Sequence, residues 1–79
     1  VSVFERAAYQ DFIFNAGEGN FCSSTMAKKL RSGDRKGACS EFDRWMRADG
    51  KDCRIAANNC MGIVKRRQDE RELCMLGLN

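Results

Sequence analysis

The chain has 79 residues, 14 Lys and Arg against 11 Asp and Glu for a net charge of +3, five Cys, and neither His nor Pro. That length allows one small domain, near the lower limit at which a single core sustains a fold. No stretch approaches the ~20 apolar residues of a membrane span or resembles a signal peptide, and the modest, dispersed charge admits a polyanionic partner without demanding one.

With proline absent and apolar residues at helical spacing, the chain reads as all-α, a compact lobe of four helices. Ser2-Val3-Phe4-Glu5 is a capping-box pattern. Behind it Phe4, Ala8 and Phe12 recur at i, i+4, with Ala7 and Phe14 alongside, which predicts a central, deeply buried helix ending near Gly17. Glu18, Gly19 and Asn20 then read as a turn. Ser23 or Ser24 caps a second helix running to about Ser32, with Met26, Ala27 and Leu30 inside and Lys28, Lys29 and Arg31 outside. Gly33 stops that helix and Asp34 caps the third. The third carries Ala38, Phe42, Trp45 and Met46 at i, i+4, i+7 and i+8 and runs to Gly50. Its spacing assigns Trp45 to the core rather than to an exposed platform. The fourth starts near Met61 and ends about Leu76, with Ile63, Val64, Leu73 and Cys74 inward. Lys65/Asp69 and Arg66/Glu70 stand as opposite charges at i, i+4.

Five cysteines in so short a chain favour an oxidising compartment. The Cys53–Cys60 loop before the last helix has no strong periodicity, and a bridge there would contribute roughly 2–3 kcal/mol. Cys39 and Cys74 lie on core-facing stripes of helices expected to pack together, which pairs them by elimination and leaves Cys22 over. Zinc is the rival use of thiols. Without His or a Cys-x-x-Cys pair the spacing does not fit it, so neither metal nor cofactor is expected.

Four ordered segments carry a family resemblance. They are Phe14-Asn15-Ala16-Gly17-Glu18-Gly19-Asn20-Phe21, Ser23-Ser24-Thr25, Leu30-Arg31-Ser32-Gly33-Asp34, and Arg44-Trp45-Met46-Arg47-Ala48-Asp49-Gly50-Lys51 followed by Gly62-Ile63-Val64-Lys65-Arg66-Arg67. Together they resemble the C-terminal lobe of phage-type lysozymes, the endolysins that degrade peptidoglycan, over essentially all of residues 1–79. The resemblance implies an N-acetylmuramidase acting in the periplasm or outside the cell. It also implies that the acid and nucleophile lie in an N-terminal catalytic lobe beyond this chain, which would be a fragment or a processed product. By the same resemblance Phe14, Asn15, Phe21 and Ser24 line the saccharide cleft, and Arg66 and Arg67 reach carboxylates of the catalytic lobe.

Read without the resemblance, Phe14 and Phe21 are ordinary core and Asn15 merely ends a helix. Glycoside hydrolysis needs two opposed carboxyl groups, and no such pair emerges here, because Glu5 and Asp34 are caps and Asp69 and Glu70 are pairing partners. No catalytic residue is therefore expected within this chain. A lobe deprived of its partner would expose apolar surface around Phe4, Phe14 and Phe21 and tend to self-associate. The alternative class is a small basic helical module binding nucleic acid or a protein through Lys28/Lys29/Arg31 and Lys65/Arg66/Arg67. Those clusters are interleaved with acids and match no nucleic-acid motif, so nucleic acid is not the expected partner.

Overall fold

A computed structural model describes residues 1–78. Helix α1 spans Val3–Ala16, α2 Glu18–Cys22, α3 Thr25–Arg31, α4 Arg35–Ser40 and α5 Met61–Leu76; a 3-10 turn follows α4 at Glu41–Arg44. The architecture is all-α as expected, with two additions. The Glu18–Asn20 turn winds into the short helix α2, making five helices where the spacing set four. The third helix does not run on to Gly50. It ends by Arg44, and strands β1 (Arg47–Ala48) and β2 (Lys51–Asp52) form an antiparallel hairpin.

The hairpin has a local cause. Asp49 and Gly50 sit at φ +51° and +77° between the paired residues Ala48 and Lys51. Two central residues with positive φ make the primed turn whose twist matches that of paired strands, and Asp-Gly is among its preferred dipeptides.

The caps fall where side-chain chemistry puts them. Ser2 and Glu5 form a reciprocal capping box on α1, Ser24 accepts from the Ala27 amide on α3, and Asp34 accepts from the Gly37 amide on α4. Each satisfies amides that a helix start otherwise leaves without partners.

Helix α1 packs along α5 as the most extensive helix pairing of the lobe. Its buried face is Glu5, Ala8, Tyr9 and Phe12, while Phe4 is 47 % and Phe14 87 % exposed. Of the expected Phe4/Ala8/Phe12 stripe, Ala8 and Phe12 are fully buried, whereas Phe4 is displaced from the inner face by its charged neighbour Glu5. Glu5 is fully buried and takes both Arg35 donors, Nε at 2.9 Å and Nη2, which ties the start of α1 to the start of α4. Over the same cap passes the end of α5. A Cβ on Gly77 would lie 2.2 Å from Ser2 Oγ and 2.9 Å from the Glu5 nitrogen, so only glycine allows this approach.

The core proper gathers Ala8, Tyr9, Phe12, Met26, Ala38, Cys39, Phe42 and Cys74. Phe12 meets Phe42 edge-on at 5.7 Å and Trp45 at 5.2 Å, geometries that suit the ring quadrupole. A second small cluster, Met46, Cys53 and Val64, sits under the hairpin. One disulfide serves each cluster: Cys39–Cys74 spans 35 residues and joins α4 to α5, while Cys53–Cys60 spans seven and closes the loop before α5. Cys22 is free and exposed, so all five cysteines take the expected states.

Loop-closure entropy makes the longer bridge the more stabilising, about 4 kcal/mol against about 2–3 kcal/mol. Replacing Cys39 and Cys74 by Ser should therefore lower the denaturation free energy more than replacing Cys53 and Cys60. A larger loss from the short loop, measured by urea unfolding, would contradict this.

Candidate functional site

Arg67, in the second turn of α5, is 2 % exposed. Its Nε donates to the Trp45 carbonyl at 3.1 Å, Nη1 to Glu70 Oε1 and Nη2 to Asn15 Oδ1, and the guanidinium lies 4.8 Å from the centre of the Phe12 ring. A buried guanidinium must fill its fork with acceptors, and these four contacts come from three separate elements. They fix the last residues of α1, the end of the 3-10 turn and α5 relative to one another. The Trp45 carbonyl is one of the acceptors left open where helical winding stops.

This junction forms the floor of a concavity of about 240 Å³ lined by Asn15, Asn20, Trp45, Arg47, Ile63 and Arg67. Asn20 Nδ2 donates to the Ala16 carbonyl at 2.7 Å and so holds α2 against the end of α1. Asn15 gives its amide oxygen to Arg67, and its amide nitrogen has no partner among the described residues. The concavity therefore offers a fixed amide donor beside Trp45 and the cationic Arg47, a mixed polar and apolar lining.

A second concavity of about 370 Å³ shares Trp45 and Arg47 with the first and is lined also by Thr25, Glu41 and Arg44. Glu41 is 4 % exposed and is met by Lys29 Nζ and Arg44 Nε, both at 3.1 Å.

Of the residues expected at a saccharide cleft, Asn15 is in the lining of the concavity of about 240 Å³. Phe14 projects into solvent at 87 % exposure, outside both concavities. Phe21 is half-buried, its ring 5.9 Å from Tyr9 and 6.3 Å from Phe12, which makes it part of the core wall behind the site. Ser24 spends its hydroxyl on the backbone, donating to the Phe21 carbonyl at 2.6 Å while accepting from Ala27.

The adjacent arginines Arg66 and Arg67 of α5 part company. Arg67 is committed inside this lobe, which corrects the expectation that it reaches outward. Arg66 pairs with Asp11 at 3.2 Å on the surface and is 41 % exposed. The expected Arg66/Glu70 pair is thus replaced by Arg66–Asp11 and Arg67–Glu70, whereas Lys65–Asp69 forms at 2.7 Å. Arg47, Asn20 and Ile63 are not expected at the site from sequence, nor is Trp45, whose spacing assigns it to the core. Asn20 lies inside the Phe14–Phe21 segment, where its amide was available to notice. Arg47 reaches the site only because the hairpin turns the chain there.

Glu70 is the electrostatic outlier. It is 3 % exposed, and its Oε2 has no partner while the carboxyl is ionised. Burial pushes it up to about 7, and the hydrogen bond its protonated form gives to Asp11 adds to the rise, with Arg67 opposing. Asp11 is correspondingly lowered, first by that bond and then by Arg66. Glu5 moves the other way, held down at about 2 by the Arg35 fork.

A raised carboxyl means the folded state keeps a proton the unfolded chain has lost, so stability contributed by Glu70 fades as pH climbs from about 4.5 to about 7. A lowered one loses its contribution as pH falls, here from 4.5 towards 2 for Glu5. Glu70→Gln keeps an acceptor for Arg67 and supplies a permanent donor for Asp11. It should flatten the upper limb and stabilise the fold at pH 8 by about 2 kcal/mol. Urea midpoints at pH 5 and pH 8 test this, and an unchanged pH slope would contradict it.

The chain matches the phage lysozyme family over residues 2–70. It is 46 % identical over 65 residues to a probable prophage lysozyme of Escherichia coli (strain K12), covering 82 % of this chain and 37 % of that protein. It is 42 % identical over 66 residues to the SAR-endolysin of Escherichia phage 933W, covering 84 % and 37 %. With the SAR-endolysin of Bacteriophage PS119 the identity is 40 % over 72 residues, covering 91 % and 39 %. The chain thus spans less than two fifths of the length of the curated relatives it matches.

Proposed function

Because this chain belongs to the phage lysozyme family, we propose that it is the substrate-bearing lobe of a peptidoglycan-degrading endolysin. The reaction is that of an N-acetylmuramidase, hydrolysis of the β-1,4 bond between N-acetylmuramic acid and N-acetylglucosamine. The acid and its partner carboxylate belong to a catalytic lobe outside these residues, and this lobe supplies the opposite wall of the cleft. One observation carries the reading. The Phe14–Phe21 segment, one of the four on which the resemblance rests, gives Asn15, Ala16 and Asn20 to a concavity in which, among the described residues, Asn15 is the side-chain amide whose nitrogen is left unpaired.

An N-acetyl carbonyl or a ring hydroxyl is the natural acceptor for that donor, and the Trp45 indole offers the flat apolar surface that sugar faces pack on. Arg67 holds the Asn15 oxygen, which fixes the amide so that its nitrogen, rather than its oxygen, faces the ligand. Phe14, outside the concavity, and Arg66, half-exposed beside Asp11, are the groups available to a second lobe. The two disulfides favour action in the periplasm or outside the cell. Left alone, a lobe that exposes Phe4 and Phe14 would self-associate through them.

An exchange tests this directly. Placed in the E. coli prophage lysozyme in place of the segment it matches, this chain should sustain clearing of a peptidoglycan suspension. Asn15→Ala in the chimera should reduce kcat/KM about tenfold, as loss of one good substrate hydrogen bond does. The isolated chain should clear nothing. A folded chimera that leaves peptidoglycan intact, or clearing by the isolated chain, would contradict the reading.

A further inference from the structure

The contact of α1 with α5 contains two neighbouring polar rungs. Asp11 and Asn15 stand at i, i+4 on α1, and Arg67 and Glu70 at i, i+3 on α5, so each pair lies on one helix face. One rung is Asn15–Arg67 and the other Asp11–Glu70. The second sets two carboxyl groups against each other. Glu70 is 3 % exposed, and its Oε2 finds no donor unless one of the two acids carries a proton. Its Oε1 accepts from Arg67 Nη1, while Arg67 Nη2 donates to Asn15 Oδ1. A single guanidinium therefore joins the acid pair to the amide that lines the smaller concavity.

We propose that Asp11 and Glu70 share one proton between α1 and α5, and that this proton decides how firmly Arg67 holds the Asn15 amide. With the proton in place, Glu70 donates to Asp11 through Oε2 and accepts from Arg67 through Oε1, which leaves Nη2 to Asn15. Without it, Oε2 is a buried anion facing another anion. Arg67 already holds Oε1, and its Nη1/Nη2 edge can take both oxygens of a carboxylate. A charged oxygen outcompetes a neutral amide for Nη2. The Asn15 side chain is then released, and the concavity loses its fixed donor. The proposal stands on the helix pair and needs no particular ligand.

The surrounding charges leave this role to the pair. From α1, Glu5 is held down at about 2 by Arg35, Tyr9 is pushed up to about 12 by burial, and Arg6 is exposed. From the 3-10 turn, Glu41 is taken by Lys29 and Arg44, and Asp43 by Arg71. From α4, Arg35 is committed to Glu5 and Lys36 is exposed. Arg47 of the hairpin lines the concavity with Arg67 and stays charged throughout. On α5 itself, Arg66 bears on Asp11 and Lys65 on Asp69. Burial first and Asp11 second, with Arg67 opposing, put the change at Glu70 near 7.

Nitrogen–proton NMR spectra of the chain without ligand, from about pH 5 to about pH 9, test the coupling. The Asn15 side-chain NH2 should be rigid at the acid end, with an order parameter of about 0.85, and mobile at the alkaline end, below about 0.6. Its resonances should shift with a midpoint at about 7. Backbone amides of α3, which carries neither rung, should stay in place. Glu70→Gln should keep the Asn15 NH2 rigid throughout. Asp11→Asn gives Oε2 a permanent donor, so the midpoint should fall towards the ordinary 4.5 of a glutamate. The two substitutions act on opposite partners, so either one that folds is decisive. An Asn15 signal indifferent to pH in the parent chain would overturn the proposal. So would a transition near pH 7 that survives substitution, or α3 amides that titrate together with Asn15.

Discussion

A guanidinium can be buried in a protein of this size only if each of its nitrogens finds an acceptor, because an unpaired buried charge costs more than a small fold has to spare. Arg67 meets that condition through the Trp45 carbonyl, Glu70 and Asn15, with the Phe12 ring beneath it. Trp45 and Asn15 among those partners also line the smaller concavity. The Trp45 carbonyl is where helical winding gives way to the hairpin that carries Arg47, and Asn15 is the last polar side chain of α1. Satisfying one buried charge therefore sets the positions of the groups that would meet a ligand.

The same logic explains how α1 and α5 are held. Carboxylates on α1 are taken by arginines from elsewhere: Glu5 by Arg35 and Asp11 by Arg66. Glu70 is the exception, a carboxyl facing both Arg67 and Asp11, for which a proton is the simplest neutraliser. Ion pairs of this kind specify which helices meet rather than supplying much net stability. Stability comes from the aromatic cluster around Phe12 and Phe42 and from two covalent crosslinks, the usual recourse where a core is this small.

What the sequence reveals and what it hides divide by range. Caps are local, so Ser2 with Glu5, Ser24 and Asp34 can be read from their neighbours alone, as can the bounds of α5. The pairing of cysteines was accessible because few combinations were open and the helical faces sorted them. Charge pairs were not. Glu5 finds Arg35 across 30 residues and Arg67 finds Asn15 across 52, and periodicity counts each of these residues as polar and therefore outward. That is why periodicity puts Phe4 rather than Glu5 on the inner face of α1 and sets Arg67 outside. The hairpin is a different kind of miss, since Asp49-Gly50 is a strong turn signal. The helical spacing of Ala38, Phe42, Trp45 and Met46 outweighed it, although the 3-10 turn places those same residues inward without continuing the α-helix. At the site, Asn15 was legible from its segment, whereas Arg47 depends on the hairpin and could not be.

Arg67→Lys is the substitution that isolates the central role of the guanidinium. It retains the charge and most of the stem but removes the planar fork that serves three acceptors at once. If that fork organises the lobe, the denaturation free energy should fall by about 3 kcal/mol, and the indole N–H resonance of Trp45 should shift as the end of the 3-10 turn loses its anchor. A variant within about 0.5 kcal/mol of the parent, with the Trp45 resonance unmoved, would show that charge alone suffices and would contradict this account.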